Sequence, residues 1–197
     1  MRNPFAPGAW RYALPVVAVA ALLRRKFPRG WLAGLALAAA VLGFHRDPDR
    51  EPAGDGVLAP ADGRVSVLRT EGDRVRLGIF MNLHDVHVNR SPVAGTVTDV
   101  THSPGGHWPA FTKASDRNER LTVDFEEYEL TLIAGTVARR IHPYVEPGAD
   151  LARGARLGHI SFGSRVDVTF PPAVDTDDLT VEPGDRVRAG ETVIAAS

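Results

Sequence analysis

Hydrophobic and polar positions follow two different rhythms along this chain, and the change falls near residue 50. From Val57 onward apolar residues recur at alternate positions in short runs: GRVSVLRT (63–70), RVRLGIFM (74–81), DVHVNRS (85–91), GTVTDVT (95–101), RLTVDFEEYELTLIAGTVARRI (120–141), ARLGHISFGSRVDVTF (155–170) and RVRAGETVIAA (186–196). Glycine, proline or aspartate separates most of them, and period-two runs bounded by such breakers predict half-buried strands. No long amphipathic helix stands out after residue 50. The pattern predicts a mainly β, sandwich- or barrel-like domain over 57–197.

Before residue 46 the rhythm is different. YALPVVAVAALL (12–23) and GWLAGLALAAAVLGFH (30–45) are apolar without alternation and carry no charge. Residues 1–46 contain no Asp or Glu, but they do contain Arg2, Arg11, Arg24, Arg25, Lys26, Arg29 and Arg46. Each run is short of the roughly 17–25 residues that span a hydrocarbon core comfortably. The expectation is a helical membrane anchor over 1–45, a shallow or re-entrant hairpin with its arginines at lipid headgroups. Two tight spans, or a buried helical pair in a soluble domain, are the alternatives. A signal peptide fits less well, because a second apolar run follows. RDPDREPAGDG (46–56) reads as a polar linker.

Composition narrows the chemistry. The 197 residues carry a formal net charge of −1, which gives no support to nucleic-acid binding through a basic surface. There is no cysteine, so disulfides and thiolate metal sites are excluded; Lys26 and Lys113 are the only lysines. A turn signature recurs in EPGADLARG (146–154) and EPGDRVRAG (182–190), with a looser copy in EGDRVRLG (71–78). Hammerhead carrier domains use such turns, but FTKASDRNER around Lys113 does not resemble their modified hairpin tip.

One polar residue interrupts an apolar face. In HISFGSRVDVTF (159–170), every second position reads Ile160, Phe162, Ser164, Val166, Val168, Phe170. A serine on such a face must satisfy its hydroxyl or stay unpaired at a cost. Ser164 follows Gly163, whose missing side chain leaves the preceding carbonyl open to attack. A neutral histidine could take the hydroxyl proton, with an aspartate orienting the imidazole. Asp62 in APADGRV (59–65) and His84 and His87 in MNLHDVHVNRSP (81–92) are the candidates, although each alone reads equally as a turn or structural residue. On an ideal strand the two imidazoles point to opposite faces, so a shared metal would need another ligand. His102 and His107 lie in uninformative Pro/Gly-rich context.

FGSRVDV resembles the self-cleavage segment of phosphatidylserine decarboxylase proenzymes, in particular the short archaeal-type subfamily. FHRDPDR (44–50), APADGRV, HDVHVNRSP and KASDRNER (113–120) resemble further segments of that family, in the same order. VTFPPAVD departs from it, with two prolines where relatives tend to have one. The resemblance implies cleavage between Gly163 and Ser164, giving a β chain (1–163) and an α chain (164–197) that stay together. It implies a pyruvoyl group made from Ser164, whose ketone condenses with the substrate amine in place of PLP, with no metal. His87 would be the maturation base, oriented by Asp62; His84 would position the carboxylate or protonate the carbanion. Arg120 or Arg90 would meet the lipid phosphate, unless they form ordinary ion pairs. The implied substrate is phosphatidylserine or another serine phospholipid, and the implied location is the cell membrane, catalytic domain on the cytoplasmic side. The competing readings are a membrane-tethered hammerhead or barrel adaptor without catalysis, and a metal-dependent hydrolase using His84 and His87.

Overall fold

A computed structural model describes residues 3–27, 29–106, 108, 117–135, 140–161 and 164–196. The chain divides into two compact units, 1–49 and 50–197. In the first, the two apolar runs form helices α1 (Ala9–Leu23) and α2 (Gly30–Phe44). Their contact is made by small residues: Gly34 lies so close to Ala20 that a Cβ on Gly34 would overlap the alanine methyl. The large apolar side chains, among them Trp10, Leu14, Leu22, Leu32 and Leu37, face outward. No described helix is long and apolar enough to cross a membrane.

The second unit is mainly β, as the alternation predicts. Its strands are β1 (Val57–Leu58), β2 (Gly63–Glu71), β3 (Arg74–Met81), β4 (Val88–Arg90), β5 (Gly95–Thr96), β6 (Asp99–Ser103), β7 (Arg120–Asp124), β8 (Glu129–Ala134), β9 (Ile141–Pro143), β10 (Asp150–Leu151), β11 (Arg156–Ile160), β12 (Ser164–Thr169), β13 (Arg186–Val187) and β14 (Val193–Ala195). Seven make one antiparallel sheet in the order β13-β2-β3-β12-β8-β7-β6. A second sheet has the order β4-β11-β9, and the pairs β1-β14 and β5-β10 complete the fold. The large sheet keeps two edges, β13 and β6, so among the described residues it is open and does not close into the barrel offered as one form of the fold. Its core side carries Leu77, Ile79, Leu130, Leu132, Val166, Val168 and Phe170, all fully buried. Each such side chain contributes about 1.5–3 kcal/mol.

The repeated EPG signature is a repeated turn. Gly148 N–H donates to Val97 O while Val97 N–H donates to Ala149 O; Gly184 and Val65 repeat this with Asp185. Gly148 and Gly184 have φ of 88° and 101°, which a side chain would strain. The looser copy at 71–78 is instead the β2–β3 hairpin, with Glu71 paired to Arg74.

Two features of 159–170 differ from a single strand with one buried face. Its apolar alternation runs unbroken, yet β11 and β12 belong to different sheets, because the chain changes sheets between Ile160 and Ser164. Two polar positions of β12, Arg165 and Asp167, are also buried. Asp167, with no exposed surface, accepts from Arg165 Nε at 2.7 Å and from Arg76 Nε at 2.8 Å. Intra-sheet ion pairing takes the place of solvent there. It needs Gly78, where a Cβ would stand 2.6 Å from Asp167 Oδ1 and 2.9 Å from Val67 Cβ.

Candidate active site

The two larger sheets are related strand by strand. β3, β12 and β8 are neighbours in one, and β4, β11 and β9 are neighbours, in matching order, in the other. Going from β3 to β4, from β8 to β9 and from β11 to β12, the chain therefore passes between the two sheets three times. Ser164 is the first residue of β12, after the crossing from β11. It lies opposite Met81 on one side and Ala134 on the other. It is fully buried, and its Oγ makes no hydrogen bond with any described residue. An unpaired buried hydroxyl costs on the order of 1–3 kcal/mol, so the fold keeps it against its own stability. Gly163 lies outside the described residues.

The crossing from β3 to β4 carries both histidines. Its turn is fixed by Asp85, whose Oδ2 accepts from Asn82 N–H at 2.7 Å and whose own N–H donates to Asn82 O at 3.0 Å. His87 is buried, with Nδ1 3.0 Å from the Asp85 carbonyl. Its backbone oxygen accepts from Ile160 N–H at 3.2 Å, which ties it to the start of the Ser164 crossing. His84 stands out in solvent, its side chain 67% exposed, with Nε2 3.2 Å from Arg186 Nη2 and 3.6 Å from Asp85 Oδ1. The structure thus separates the two imidazoles by environment, one sheltered and one accessible. Among the described residues no group of three or more His, Asp or Glu side chains could hold a metal.

Asp62 precedes β2 and is buried. Its Oδ1 accepts from Ala189 N–H at 2.8 Å and its Oδ2 from Arg50 Nη2 at 2.9 Å. Arg50 also reaches Glu191 at 3.3 Å. The FHRDPDR and APADGRV segments therefore meet in one ion pair. Arg90 is buried and donates to Gly154 O at 3.0 Å, whereas Arg120 is half-buried at the start of β7. Asn118, two residues before Arg120, holds the strand end that faces Ser164. Its Nδ2 donates to Ala134 O at 2.7 Å and to Trp108 O at 2.6 Å. On β9 and β11, His142 and His159 stack at 4.4 Å, and Tyr144 Oη lies 2.7 Å from His159 Nδ1.

Comparison with known proteins decides between the readings. The family model for phosphatidylserine decarboxylase matches residues 37–195. The chain is 63% identical to a protein of Halobacterium salinarum named an archaetidylserine decarboxylase proenzyme, over 96% of this chain and 97% of that one. It is 46% identical to a phosphatidylserine decarboxylase proenzyme of Streptomyces avermitilis, over 98% and 94%. The chain belongs to the phosphatidylserine decarboxylase family. It is a decarboxylase, and the adaptor and metal-hydrolase readings fall away.

Within this decarboxylase, sequence reasoning passed over Arg50, Asp85, Asn118 and Arg186, which bond the candidate residues or their strands, and Asn89, whose Nδ2 lies 3.6 Å from the Met81 Sδ opposite Ser164. Arg50, Asp85, Asn89 and Asn118 stand inside the segments that carried the resemblance. Asn89 had a readable signal: it is two residues from His87, and so on the same face of the alternation leading into β4.

Proposed function

We propose that this chain is a self-processing, pyruvoyl-dependent decarboxylase that converts the serine headgroup of phosphatidylserine to ethanolamine and CO2 at a membrane surface. The observation that carries it is the buried Ser164 hydroxyl at the sheet crossing, without a hydrogen-bond partner among the described residues. Ser164 Oγ attacks the Gly163 carbonyl carbon. An ester C–O bond forms, the C–N bond between residues 163 and 164 breaks, and the Oγ proton passes through His87 to the nitrogen. Loss of the Ser164 Cα proton then expels the Gly163 carboxylate from Cβ. Water replaces the nitrogen on Cα, which leaves as ammonia, and a ketone remains at the new chain end. That ketone supplies an electron sink when the substrate carboxylate leaves.

Asp62 is assigned by the family resemblance to orient His87 in its base role; its carboxylate accepts from Ala189 N–H and Arg50, while His87 Nδ1 lies at the Asp85 carbonyl. His84, accessible and beside Arg186, suits a role toward the substrate carboxylate or carbanion. Arg120 and Arg90 are the candidates for the phosphate. In this reading residues 1–45 anchor the chain, 46–56 link, and 57–197 catalyse, on the cytoplasmic side of the cell membrane. The outward-facing large apolar residues of α1 and α2, packed through Gly34 and Ala20, support the anchor.

Mass spectrometry of the purified chain tests the proposal. Two fragments, 1–163 and a blocked 164–197, are expected, and Ser164→Ala should give one intact, inactive chain. Active protein that remains intact with a free Ser164 overturns it. Assays on diacyl and diether serine lipids then define the lipid backbone, since relatives carry both names.

A further inference from the structure

Asn89 has no surface exposure, and the fold uses only half of its amide. Nδ2 donates to Met81 Sδ at 3.6 Å, a weak acceptor. Oδ1 has no hydrogen-bond partner among the described residues. Met81 is the cross-strand neighbour of Ser164, and side chains directly opposite in an antiparallel pair share one face. The Asn89 amide therefore touches the side chain that flanks Ser164. Ser161, which follows β11, is also buried, and its Oγ has no partner among the described residues. Two polar atoms without a partner among the described residues, Asn89 Oδ1 and Ser164 Oγ, are thus linked through the Met81 side chain. Orphans of this kind are rare in folded proteins, and a linked pair of them marks a place that a ligand group or reacting atom completes.

We propose that Asn89 Oδ1 is the acceptor for nitrogen carried on the Ser164 Cα, a role that rests on the reading of Ser164 given above. An amide oxygen can only accept, so its missing partner is a donor. During maturation the nitrogen of residue 164 changes from an amide into an amine when the acyl group moves to Oγ, gaining a proton and a donor. That nitrogen and the substrate amine attach in turn to the same carbon, so one fixed acceptor serves both. Before cleavage the amide oxygen has no partner among the described residues; afterwards the amine satisfies it. Asn89 thereby favours the ester over the intact peptide bond.

The test is the rate at which freshly made full-length chain matures, followed by mass spectrometry, with hydroxylamine added to trap the ester. Asn89→Leu keeps the volume and removes the acceptor. It is expected to unfold at or above the parent's temperature, because the orphan oxygen leaves with the amide, and to mature about 10- to 100-fold more slowly with less trappable ester. Asn89→Thr retains an acceptor oxygen and is expected to mature faster than Asn89→Leu. Maturation of Asn89→Leu at the parent's rate overturns the proposal, as it would if only a water filled the site. Maturation of Asn89→Thr no faster than that of Asn89→Leu also overturns it. Failure of Ser164→Ala to block cleavage would instead sink the underlying reading, so the two outcomes are separable.

Discussion

Ser164, His87 and Asp62 show how burial sorts groups that a sequence places on equal terms. His84 and His87 are three residues apart and chemically identical, yet one is solvated beside Arg186 and the other is enclosed with its Nδ1 at the Asp85 carbonyl. A sheltered imbalance of this kind suits His87 to proton transfer inside the crossing and His84 to a group that arrives from outside. His87→Ala is therefore expected to slow cleavage by about 10²–10⁴-fold, whereas His84→Ala should cleave and then release CO2 slowly. Fragment mass and CO2 release, measured on the same samples, check both, and the opposite pattern exchanges the two roles. Asp62→Asn keeps an acceptor for Ala189 N–H but loses the charge that faces Arg50. If the carboxylate orients His87, cleavage slows with it. Cleavage at the parent's rate would confine Asp62 to holding Arg50.

At the level of elements, β12 is tied from both sides. It pairs along its whole length with β3 and β8, and Asp167 bridges Arg165 and Arg76 with no access to water. Removing the acid takes away the buried carboxylate that both guanidiniums share. Asp167→Ala is expected to cost about 3–5 kcal/mol in denaturant unfolding of the Ser164→Ala chain, which stays in one piece. A second expectation lies on β7. Asp124 sits opposite Asp99 on one side and Glu129 on the other. Partial burial first, and then those two carboxylates, raise its pKa above 3.8. A raised acid costs nothing while it is protonated in both states, below 3.8. Its penalty grows as pH rises through the folded-state value and is complete at neutrality. Asp124→Asn should therefore stabilise the fold at pH 7, by roughly 0.2–1 kcal/mol, and lose that advantage near pH 3 in thermal unfolding. These elements also mark the reach of pattern reading. β2 and β3 were legible because their burial follows local alternation. The change of sheet between Ile160 and Ser164 was not, since Ile160, Phe162, Ser164 and Val166 keep one alternation in the sequence. The change of sheet is set by β4 and β9, far away in sequence. Likewise Arg165 and Asp167 look solvent-facing until Arg76 is placed beside them.

For the whole molecule, the C-terminal fragment contains β12, β13 and β14, which pair with β3, β8, β2 and β1. Cutting before Ser164 breaks one covalent bond and none of these ladders. The two fragments should therefore elute together in gel filtration and separate only in denaturant. The N-terminal unit follows different physics. A helix pair in water buries its large apolar side chains; here α1 and α2 bury alanines and Phe44 and expose Trp10, Leu14, Leu22 and Leu37. That arrangement is stable where the surroundings are apolar, and neither helix is long enough to cross. The Arg24, Arg25, Lys26 and Arg29 cluster between them would then sit among headgroups, each cation worth about 1 kcal/mol against an anionic surface. Reversing Arg24 and Arg25 to Glu in the full chain should weaken binding to phosphatidylserine-containing vesicles by roughly 30-fold or more. The loss should shrink as salt screens the surface, because the apolar contribution is unaffected. Flotation of the parent and the charge-reversed chain at low and high salt measures this. Equal binding at low salt would show that the cationic cluster does not face lipid.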